Sequence, residues 1–301
     1  MSNVLHEVEN FEDYLRIIKD EISIKRPYYR GQEKRVQDGY TLWPSLARYE
    51  YLKKKSPTEL TQIEKRTLTT FANHVIGHVN HIPPDEWGML ALAQHHGLPT
   101  RFMDWTTNPL VALYFATRNT KKDKDGTLMD SAVYVLIQQP DNYSDLKNQQ
   151  EKSDLEADDE EDTSQTTDGD PYSQYGIDGE SEPDSYDDED ESSDSSVKKK
   201  SLNYASSFTP FDITANVIYE PPHVSQRIRT QDVVLLACFN PLTPLEEKDY
   251  LEIVIKADAH ESIRKRLDLY GVFDKQLFPD LDGMAKWLKF HEFECQNGED
   301  E

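Results

Sequence analysis

One stretch of this chain limits its possible folds more than any other: the apolar segment PLVALYFATRN at residues 109–119. Asn108 and Pro109 are typical N-cap and first-turn residues, so the segment is predicted to form a helix. That helix is apolar on nearly every side, and such a helix is buried. The strand predicted for SAVYVLIQ, residues 131–138, is also apolar throughout, which is typical of a strand covered on both faces.

Helical and extended patterns alternate along the rest of the chain without a regular order. Apolar residues at helical spacing predict helices over residues 8–22, 57–81, 85–96, 260–271 and 280–291. Strand patterns occupy residues 26–32, 215–222, 232–239 and 250–257, and residues 40–48 are predicted as a further extended piece broken by Pro44. Because strict βαβ alternation is absent, the fold class is predicted as α+β, with a mixed sheet and surrounding helices in a single domain.

An acidic tract interrupts this pattern between residues 141 and 207. Within residues 151–196, 20 Asp and Glu residues stand against one Lys, a local net charge of −19. The whole chain carries −24, so the remainder carries only −5. The tract is rich in Asp, Glu, Ser, Gly and Gln and poor in aliphatic residues, which predicts a disordered insertion. We therefore predict one domain whose two parts are residues 1–140 and 208–301.

The remaining composition argues against several classes of protein. No basic block dominates, so the sequence gives no strong nucleic-acid signal, and the cluster of Lys53, Lys54 and Lys55 is interpreted as a solvated loop. The start of the chain lacks the pattern of a signal peptide, and no apolar stretch approaches the roughly 18–20 residues that span a bilayer. Two cysteines, Cys238 and Cys295, are too few for a disulfide framework. These features predict a cytoplasmic protein without membrane association.

Histidines occur in two patterns that invite a functional interpretation. His74, His78 and His81 have the spacing that places three imidazoles on one helical face, as in some metal sites. Neither a Cys nor an acid nearby completes a ligand set, so they are interpreted as an exposed stripe and no metal site is predicted. His95 and His96 diverge by about 100° on a helix, so at most one of them faces a site.

Two polar groups beside apolar segments are candidates for a binding site. Arg30 ends the aromatic run YYRGQ and precedes Gly31, a combination suited to a phosphate or carboxylate ligand. The alternative is an ion pair of Arg30 with Glu33 or Asp104. The stretch QHHGLPTRFMDWTTNPLVALYFAT, residues 94–117, contains Arg101, Asp104, Trp105 and Thr106 immediately before the buried helix; helix capping explains some of these residues but neither Arg101 nor Trp105.

Taken together, these segments resemble the FRG domain family, named for a Phe/Tyr-Arg-Gly signature. YYRGQ resembles the signature itself, WPSLAR the segment that follows it, and QHHGLPTRFMDWTTNPLVALYFA the longest block of the family. PPHVSQRIRTQDVVLL and IRKRLDLYGVFDKQLFPDLDGMAKWL are similar to later elements, so the resemblance extends over nearly the whole chain outside the acidic tract. The family label implies no settled reaction.

A second resemblance, to arginine-specific ADP-ribosyltransferases, implies a function. Their landmarks are a Tyr-Arg-Gly strand, a Ser/Thr-bearing strand before an Ala-x-x-Phe-Ala-like helix, and a late strand that opens with Glu/Gln-x-Glu. YYRG, DWTTNPLVALYFA and RTQDVVLL occur here in that order. The resemblance implies an ADP-ribosyltransferase-like mixed sheet and NAD as the substrate.

The same resemblance assigns roles to individual residues. Arg30 would hold the NAD phosphates or ribose, Thr106 would support the nicotinamide pocket, and Trp105 or Tyr29 would stack on a ring; Gly31 and Arg101 complete the expected cofactor-binding set. Gln231 stands where the catalytic Glu is expected, and Asp232 would point to the opposite face of its strand. Gln lacks the negative charge that stabilises an oxocarbenium ion, and losing such preorganised electrostatics costs about 10²–10³ in rate. Activity would then require another acid, Asp104 or Glu220.

Three hypotheses follow. The first is an enzyme that transfers ADP-ribose or hydrolyses NAD, in the toxin or phage-defence setting in which such transferases are often used. The second is a non-catalytic module that binds a small nucleotide through Arg30. The third is an interaction protein whose acidic loop engages a basic protein partner, against the alternative that the loop is solvated and has no function. The catalytic candidates are Arg30, Gln231 and Asp104.

Overall fold

A computed structural model describes residues 6–79, 81–161, 208–222 and 226–294 of this protein. These residues form one mixed sheet of eight strands. The strands are β1 (His6–Val8), β2 (Tyr29–Gln32), β3 (Phe102–Thr106), β4 (Ser131–Leu136), β5 (Asp141–Asn142), β6 (Val217–Tyr219), β7 (Val233–Ala237) and β8 (Tyr250–Ile255). Their order across the sheet is β1-β8-β4-β2-β3-β7-β6-β5. The outer pairs β1–β8 and β5–β6 are parallel and the pairs between them are antiparallel.

Helices cover the sheet in two groups. They are α1 (Phe11–Asp20), α2 (Pro57–Val75), α3 (Glu86–His95), α4 (Pro109–Thr117), α5 (Tyr143–Glu161), α6 (Gln226–Thr230), α7 (His260–Leu269), α8 (Asp274–Leu277) and α9 (Leu281–Lys289). On one face of the sheet, α1, α4 and α7 pack over β1, β8, β4 and β2, while α2 and α3 pack over β3, β7 and β6. The other face carries a third apolar cluster that includes Tyr28, Leu42 and Tyr134. The predicted α+β class is confirmed.

Capping residues set the ends of the helices that the sequence predicted. Ser56 and Glu59 form a reciprocal capping box at the start of α2, and the Asn108 side chain accepts hydrogen bonds from Leu110 N and Val111 N at the start of α4. Helix α4 is enclosed, as its apolar composition predicted, and most of its residues are buried. Because the structure ends α2 at Val75, this helix is shorter than the predicted 57–81.

Helix α4 lies unusually close to β2 because Gly31 has no side chain. A Cβ added at Gly31 would stand 1.9 Å from the carbonyl oxygen of Ala112 and 2.8 Å from the backbone nitrogen of Ala116. Both contacts are backbone atoms that cannot move aside without shifting the helix. The glycine of the YYRGQ motif is therefore required by helix packing, whereas the sequence interpretation placed it in the cofactor-binding set.

Strands β2 and β3 separate soon after they meet. They pair at one position, Tyr29 with Thr106, whereas β2 pairs with β4 over all four of its residues. Beyond that position the backbone groups of Arg30 and Asp104 face a gap in the sheet. We call this gap between β2 and β3 the seam.

Two sequence expectations about local structure are wrong. Residues 40–48 do not form an extended piece, because a 3₁₀ turn at Ser45–Arg48 follows Pro44 and packs Leu46 and Ala47 inward. The tract from residue 141 is not unstructured at its start, because Asp141 and Asn142 pair with β6 and α5 follows. Tyr143 anchors this helix by packing against Trp87, with ring centroids 4.8 Å apart. Residues 162–207, which hold the rest of the predicted insertion, lie outside the described residues.

A buried histidine joins three elements at one end of the sheet. His260 opens α7, with its Nε2 2.9 Å from Ser131 Oγ and its Nδ1 2.9 Å from Thr120 Oγ1. Burial lowers the pKa of His260, and the hydrogen bond with the Ile255 carbonyl only partly opposes this. Just below the ordinary histidine pKa of about 6.5, the folded protein therefore keeps the His260 imidazole neutral, whereas the unfolded chain binds a proton there.

Gly31→Ala should destabilise the fold by about 1–3 kcal/mol or more, because the new methyl group forces α4 away from β2. Gly77→Ala is the matched control, since a Cβ there meets nothing within 4 Å, and it should change the free energy of unfolding by less than about 0.5 kcal/mol. Denaturant unfolding of both variants measures this difference. Equal stabilities would contradict the close contact.

Acidification should destabilise the wild type more than a His260→Gln variant. The folded pKa of His260 is lowered, so below the unfolded value of about 6.5 the unfolded state gains a proton that the folded state does not bind. This loss continues, at up to about 1.4 kcal/mol per pH unit, until the pH passes the folded pKa. Unfolding free energies measured from about pH 7.5 to 5 check this, with His74→Gln, an exposed histidine on α2, as the control. Parallel curves for wild type and His260→Gln would contradict it.

Candidate functional site

A cleft of about 340 Å³ opens where α3 and α4 stand on either side of the seam. Its walls come from β2, β3, β7, α3, α4 and α6, so residues distant in sequence meet there. Its polar and charged lining residues are Tyr29, Arg30, Gln94, His95, Asp104, Thr106, Arg118, Arg227 and Gln231. Of the predicted catalytic residues, all three, Arg30, Asp104 and Gln231, therefore line one cleft.

Arg30 bridges the seam. Its Nη1 donates a short hydrogen bond to the backbone carbonyl of Asp104, a group that strand pairing leaves without its usual partner. Its Nε is buried and has no hydrogen-bond partner among the described residues. Burial lowers the pKa of Arg30, the carboxylate of Asp104 opposes this, and the charge of Arg48 adds to it. A guanidinium remains protonated at neutral pH, so the bridge places a partly unsatisfied cation in the cleft.

Asp104 is exposed in the cleft and is held by a short chain of hydrogen bonds. Gln94 Nε2 donates to Asp104 Oδ1 at 2.7 Å, and the Oε1 of the same amide accepts a short bond from Thr100 Oγ1. Thr100 in turn accepts from Phe102 N at 3.1 Å. The chain fixes which end of the Gln94 amide faces Asp104, so the carboxylate has a defined orientation.

His95 faces the cleft, whereas its neighbour His96 is exposed elsewhere. This separation agrees with the prediction that at most one of the pair faces a site. Burial lowers the pKa of His95, and the charges of His96 and Arg227 lower it further, while Asp104 opposes them. The imidazole is therefore neutral at pH 7 and offers one donor and one acceptor to a ligand.

Two further arginines enter the cleft from opposite sides. Arg118, at the end of α4, donates from Nε to Glu33 Oε1 at 3.0 Å and lies 5.1 Å from the Phe115 ring. Arg227, on α6, is exposed and stacks over the Phe278 ring at 4.7 Å. Glu33, the alternative partner that the sequence suggested for Arg30, thus pairs with Arg118. Among the described residues that line the cleft, three arginines stand against one carboxylate, that of Asp104.

Thr106 and Gln231 connect the strands at the closed end of the seam. Thr106 Oγ1 donates to the Gln231 carbonyl at 2.8 Å and accepts from Asn108 N at 3.1 Å. The Gln231 side chain is buried, and its Nε2 donates to the Leu277 carbonyl at 2.9 Å. Gln231 precedes β7 rather than lying on it, and Asp232 turns away with a φ of 48°. The expectation that Gln231 and Asp232 alternate along a strand is therefore wrong.

Two residues predicted to bind the cofactor have other environments. Arg101 is buried in a bidentate ion pair with Glu64, at 3.0 and 2.5 Å, and also donates to the Pro210 carbonyl at 3.0 Å. It does not line the cleft, so its predicted role is wrong. Trp105 reaches the cleft, but its ring belongs to the apolar cluster on the opposite face of the sheet, because alternate residues of β3 face opposite sides. Stacking on a ligand in the cleft is therefore not available to Trp105.

Tyr29 and Gly31 lie on the wall of the cleft beside α4. Tyr29 is buried in the cluster beneath α4, and burial raises its pKa to about 12. Its hydroxyl is therefore protonated at neutral pH. Glu220, named as a possible substitute acid, is exposed and accepts from Asn142 Nδ2 at 3.3 Å, and it is not among the residues lining the cleft.

The sequence interpretation missed Gln94, His95, Arg118 and Arg227 as site residues. Gln94 and His95 end a helix that faces the FMDWT strand. Helical periodicity places these two adjacent residues on different faces of the helix, so it does not predict that both line one cleft. Arg118 follows a wholly apolar helix. Its position was a usable signal, because a buried helix gives a cation at its end no exposed helix face to lie on. Arg227 lies in the segment PPHVSQRIRTQDVVLL that resembles the family, four residues before Gln231, but only the tertiary structure placed α6 at the cleft.

No group of three His, Cys, Asp or Glu residues positioned to hold a metal occurs among the residues that the structure describes. His74 instead has its ring Nδ1 2.7 Å from the Thr70 carbonyl. Within the same described part of the chain, no helix combines the length and apolarity needed to cross a bilayer.

Arg101→Met should cost about 3–5 kcal/mol of stability, because it leaves the buried Glu64 carboxylate without its partner. The double variant Glu64→Leu/Arg101→Met should recover part of that loss, since it removes both charges. Denaturant unfolding measures both variants. If Arg101→Met proves as stable as the wild type, the ion pair is not required for folding and Arg101 is available to bind a ligand.

Comparison with known proteins adds one finding. No curated protein and no solved structure matches the chain. The family model of the FRG domain matches residues 25–125. These residues include Arg30, Gln94, His95, Asp104 and Arg118, while the later segments that resemble the family lie outside the match. Over residues 25–125, about a third of its length, this chain is therefore similar to the FRG domain.

Proposed function

We propose that the cleft binds a nucleotide that carries a diphosphate, with NAD as the ligand. The observation that carries this proposal is the convergence of Arg30, Arg118 and Arg227 from three separate elements onto one cleft. Guanidinium groups match phosphate oxygens in charge and in hydrogen-bond geometry. Arg30 also keeps a buried Nε without a partner among the described residues, and buried donors are usually satisfied by the protein, an ordered water or a ligand.

The resemblance to ADP-ribosyltransferases supports NAD over other nucleotides. Its three landmarks lie on or beside β2, β3 and β7, which are neighbours in the sheet. Arg30, Thr106 and Gln231, one residue from each landmark, line the same cleft. An ADP-ribosyltransferase-like fold is the interpretation of the sheet that this arrangement supports.

Asp104 is the residue that we propose for the chemistry. In the proposed step the bond between ribose C1′ and the nicotinamide nitrogen breaks, and its electron pair leaves with nicotinamide. A nucleophile, water or an acceptor group, forms the new bond to C1′ and gives its proton to the Asp104 carboxylate. The negative charge of Asp104 stabilises the oxocarbenium-like centre, a role that the neutral Gln231 side chain, bound to the Leu277 carbonyl, does not fill.

Binding without turnover is the second candidate. Gln231 favours it, because the position of the expected catalytic Glu carries an uncharged amide whose Nε2 is already bonded. The toxin or phage-defence setting, and a basic partner for the acidic tract, stay hypotheses from the sequence, and most of that tract lies outside the described residues.

Purified protein incubated with NAD should release nicotinamide, and calorimetry should detect NAD binding. Arg227→Ala should weaken binding roughly tenfold through loss of a charged contact. Arg229→Ala is the matched control, because Arg229 is an exposed arginine on the same helix that does not line the cleft. Asp104→Asn should bind NAD but lower the rate about 10²–10³-fold.

The outcomes separate the candidates. NAD binding without nicotinamide release supports the non-catalytic module. Equal losses in Arg227→Ala and Arg229→Ala, or no binding by the wild type, would overturn the assignment of the cleft to NAD.

A further inference from the structure

A second chamber adjoins the cleft on the far side of the Arg30–Asp104 bridge. It measures about 190 Å³ and shares Arg30, Gln94 and Asp104 with the first cleft. Its own walls come from the loop before α2 and the end of α3, and include Trp43, Pro44, Ser45, Arg48 and Gly97. A ligand in this chamber would therefore meet the same Asp104 carboxylate from the other side.

The walls of the chamber combine an aromatic ring with cations. Trp43 is half-buried, and Lys53 Nζ lies 4.5 Å from the centre of its ring. Arg48 is exposed and makes no ion pair within the described part of the chain. Burial is the main cause of the lowered pKa of Arg30, and the charge of Arg48 contributes to it. An aromatic surface beside Arg48, a cation without an ion pair among the described residues, suits a nucleobase and its phosphate.

The pattern continues from the chamber along the surface. Tyr49 and Tyr51 are 45 % and 59 % exposed, and their ring centroids lie 6.4 Å apart. Lys54 follows them and makes no ion pair within the described residues, while Lys53 and Lys55 pair with Glu50 and Glu59. The two rings flank Glu50, which pairs with Lys53, and they lie between Arg48 and Lys54 in the sequence. Exposed aromatic rings near unpaired cations are typical of surfaces that hold single-stranded nucleic acid, where bases stack and phosphates meet positive charge. The lysine cluster by itself predicted a solvated loop, because the sequence does not show that the cluster lies beside this chamber.

We propose that residues 43–55 and the second chamber bind single-stranded nucleic acid, and that a nucleotide of this strand is the acceptor of ADP-ribose. The acceptor role rests on the proposed NAD chemistry of the first cleft. The first cleft already holds three arginines for the two phosphates of NAD, so Arg48, the one cation that lines the second chamber and not the first, fits a separate phosphate. In the transfer, a nitrogen or hydroxyl oxygen of the acceptor nucleotide bonds to ribose C1′, nicotinamide departs with the electron pair of the broken bond, and the acceptor proton passes to Asp104.

Binding is tested first, without NAD. The full chain is titrated into a fluorescently labelled single-stranded oligonucleotide of about 20 nucleotides, and into the duplex of the same sequence, at several salt concentrations. The single strand should bind more tightly, with an affinity that falls as salt rises. Arg48→Glu/Lys54→Glu should weaken binding at least about tenfold and reduce the salt slope by about 2, since two phosphate contacts are lost. Lys19→Glu, a charge reversal at an exposed residue of α1, is the control and should bind as wild type does.

Transfer is tested with NAD labelled in its adenine. Label should enter the single-stranded oligonucleotide in the wild type and fall at least tenfold in Arg48→Glu/Lys54→Glu but not in Lys19→Glu. Nicotinamide release by the wild type without oligonucleotide is measured in parallel, so that failure of the NAD chemistry is distinguished from failure of the acceptor. Two outcomes would overturn this proposal and leave the NAD site standing. One is nicotinamide release with label entering protein but not the oligonucleotide, and the other is no binding of the single strand at all. Strand binding without any nicotinamide release would retain the binding surface and overturn the acceptor role.

Discussion

The hydrogen bond from Arg30 to the carbonyl of Asp104 is the interaction on which the rest of the site depends. Strands β2 and β3 pair only at Tyr29 and Thr106, and a sheet that opens at its centre exposes backbone groups that need partners. The Arg30 guanidinium supplies one partner without closing the gap. Charge is thereby concentrated where the sheet is open, and both chambers are built around the same bridge.

Packing on either side keeps the seam open. Helix α4 packs closely against β2 because Gly31 has no side chain. Helix α3 is held over β3 by aromatic rings that pack around Trp87. The buried Arg101–Glu64 pair fixes α2 beneath the start of β3. Because both helix groups are anchored to their own strands, neither can slide across to cover the seam, and a cleft persists between them.

Much of the fold could be predicted from patterns of apolar residues. The buried helix at residues 109–117, the strands after residues 130, 232 and 249, and the terminal helices all follow from periodicity and capping, because each carries its signal within a few residues. Strand β1 and the start of α5 could not be predicted. Three residues of β1 have no pattern of their own and become a strand only by pairing with β8, and α5 is held by contacts of Tyr143 that acidic composition conceals.

The sequence by itself determined which residues carry charge beside the apolar segments, and Arg30 and Asp104 were identified in this way, whereas Gln231 was identified through the resemblance to ADP-ribosyltransferases. It also determined that α4 must be buried, since no face of that helix is polar. Only the tertiary structure decided which charges share a cleft: it placed Arg101 in a buried ion pair with Glu64 and brought Arg118, Arg227 and His95 to Asp104. The physical reason is that charge and hydrophobicity are properties of each residue, whereas a partner for a charge depends on which distant segments the packing of the core brings within reach.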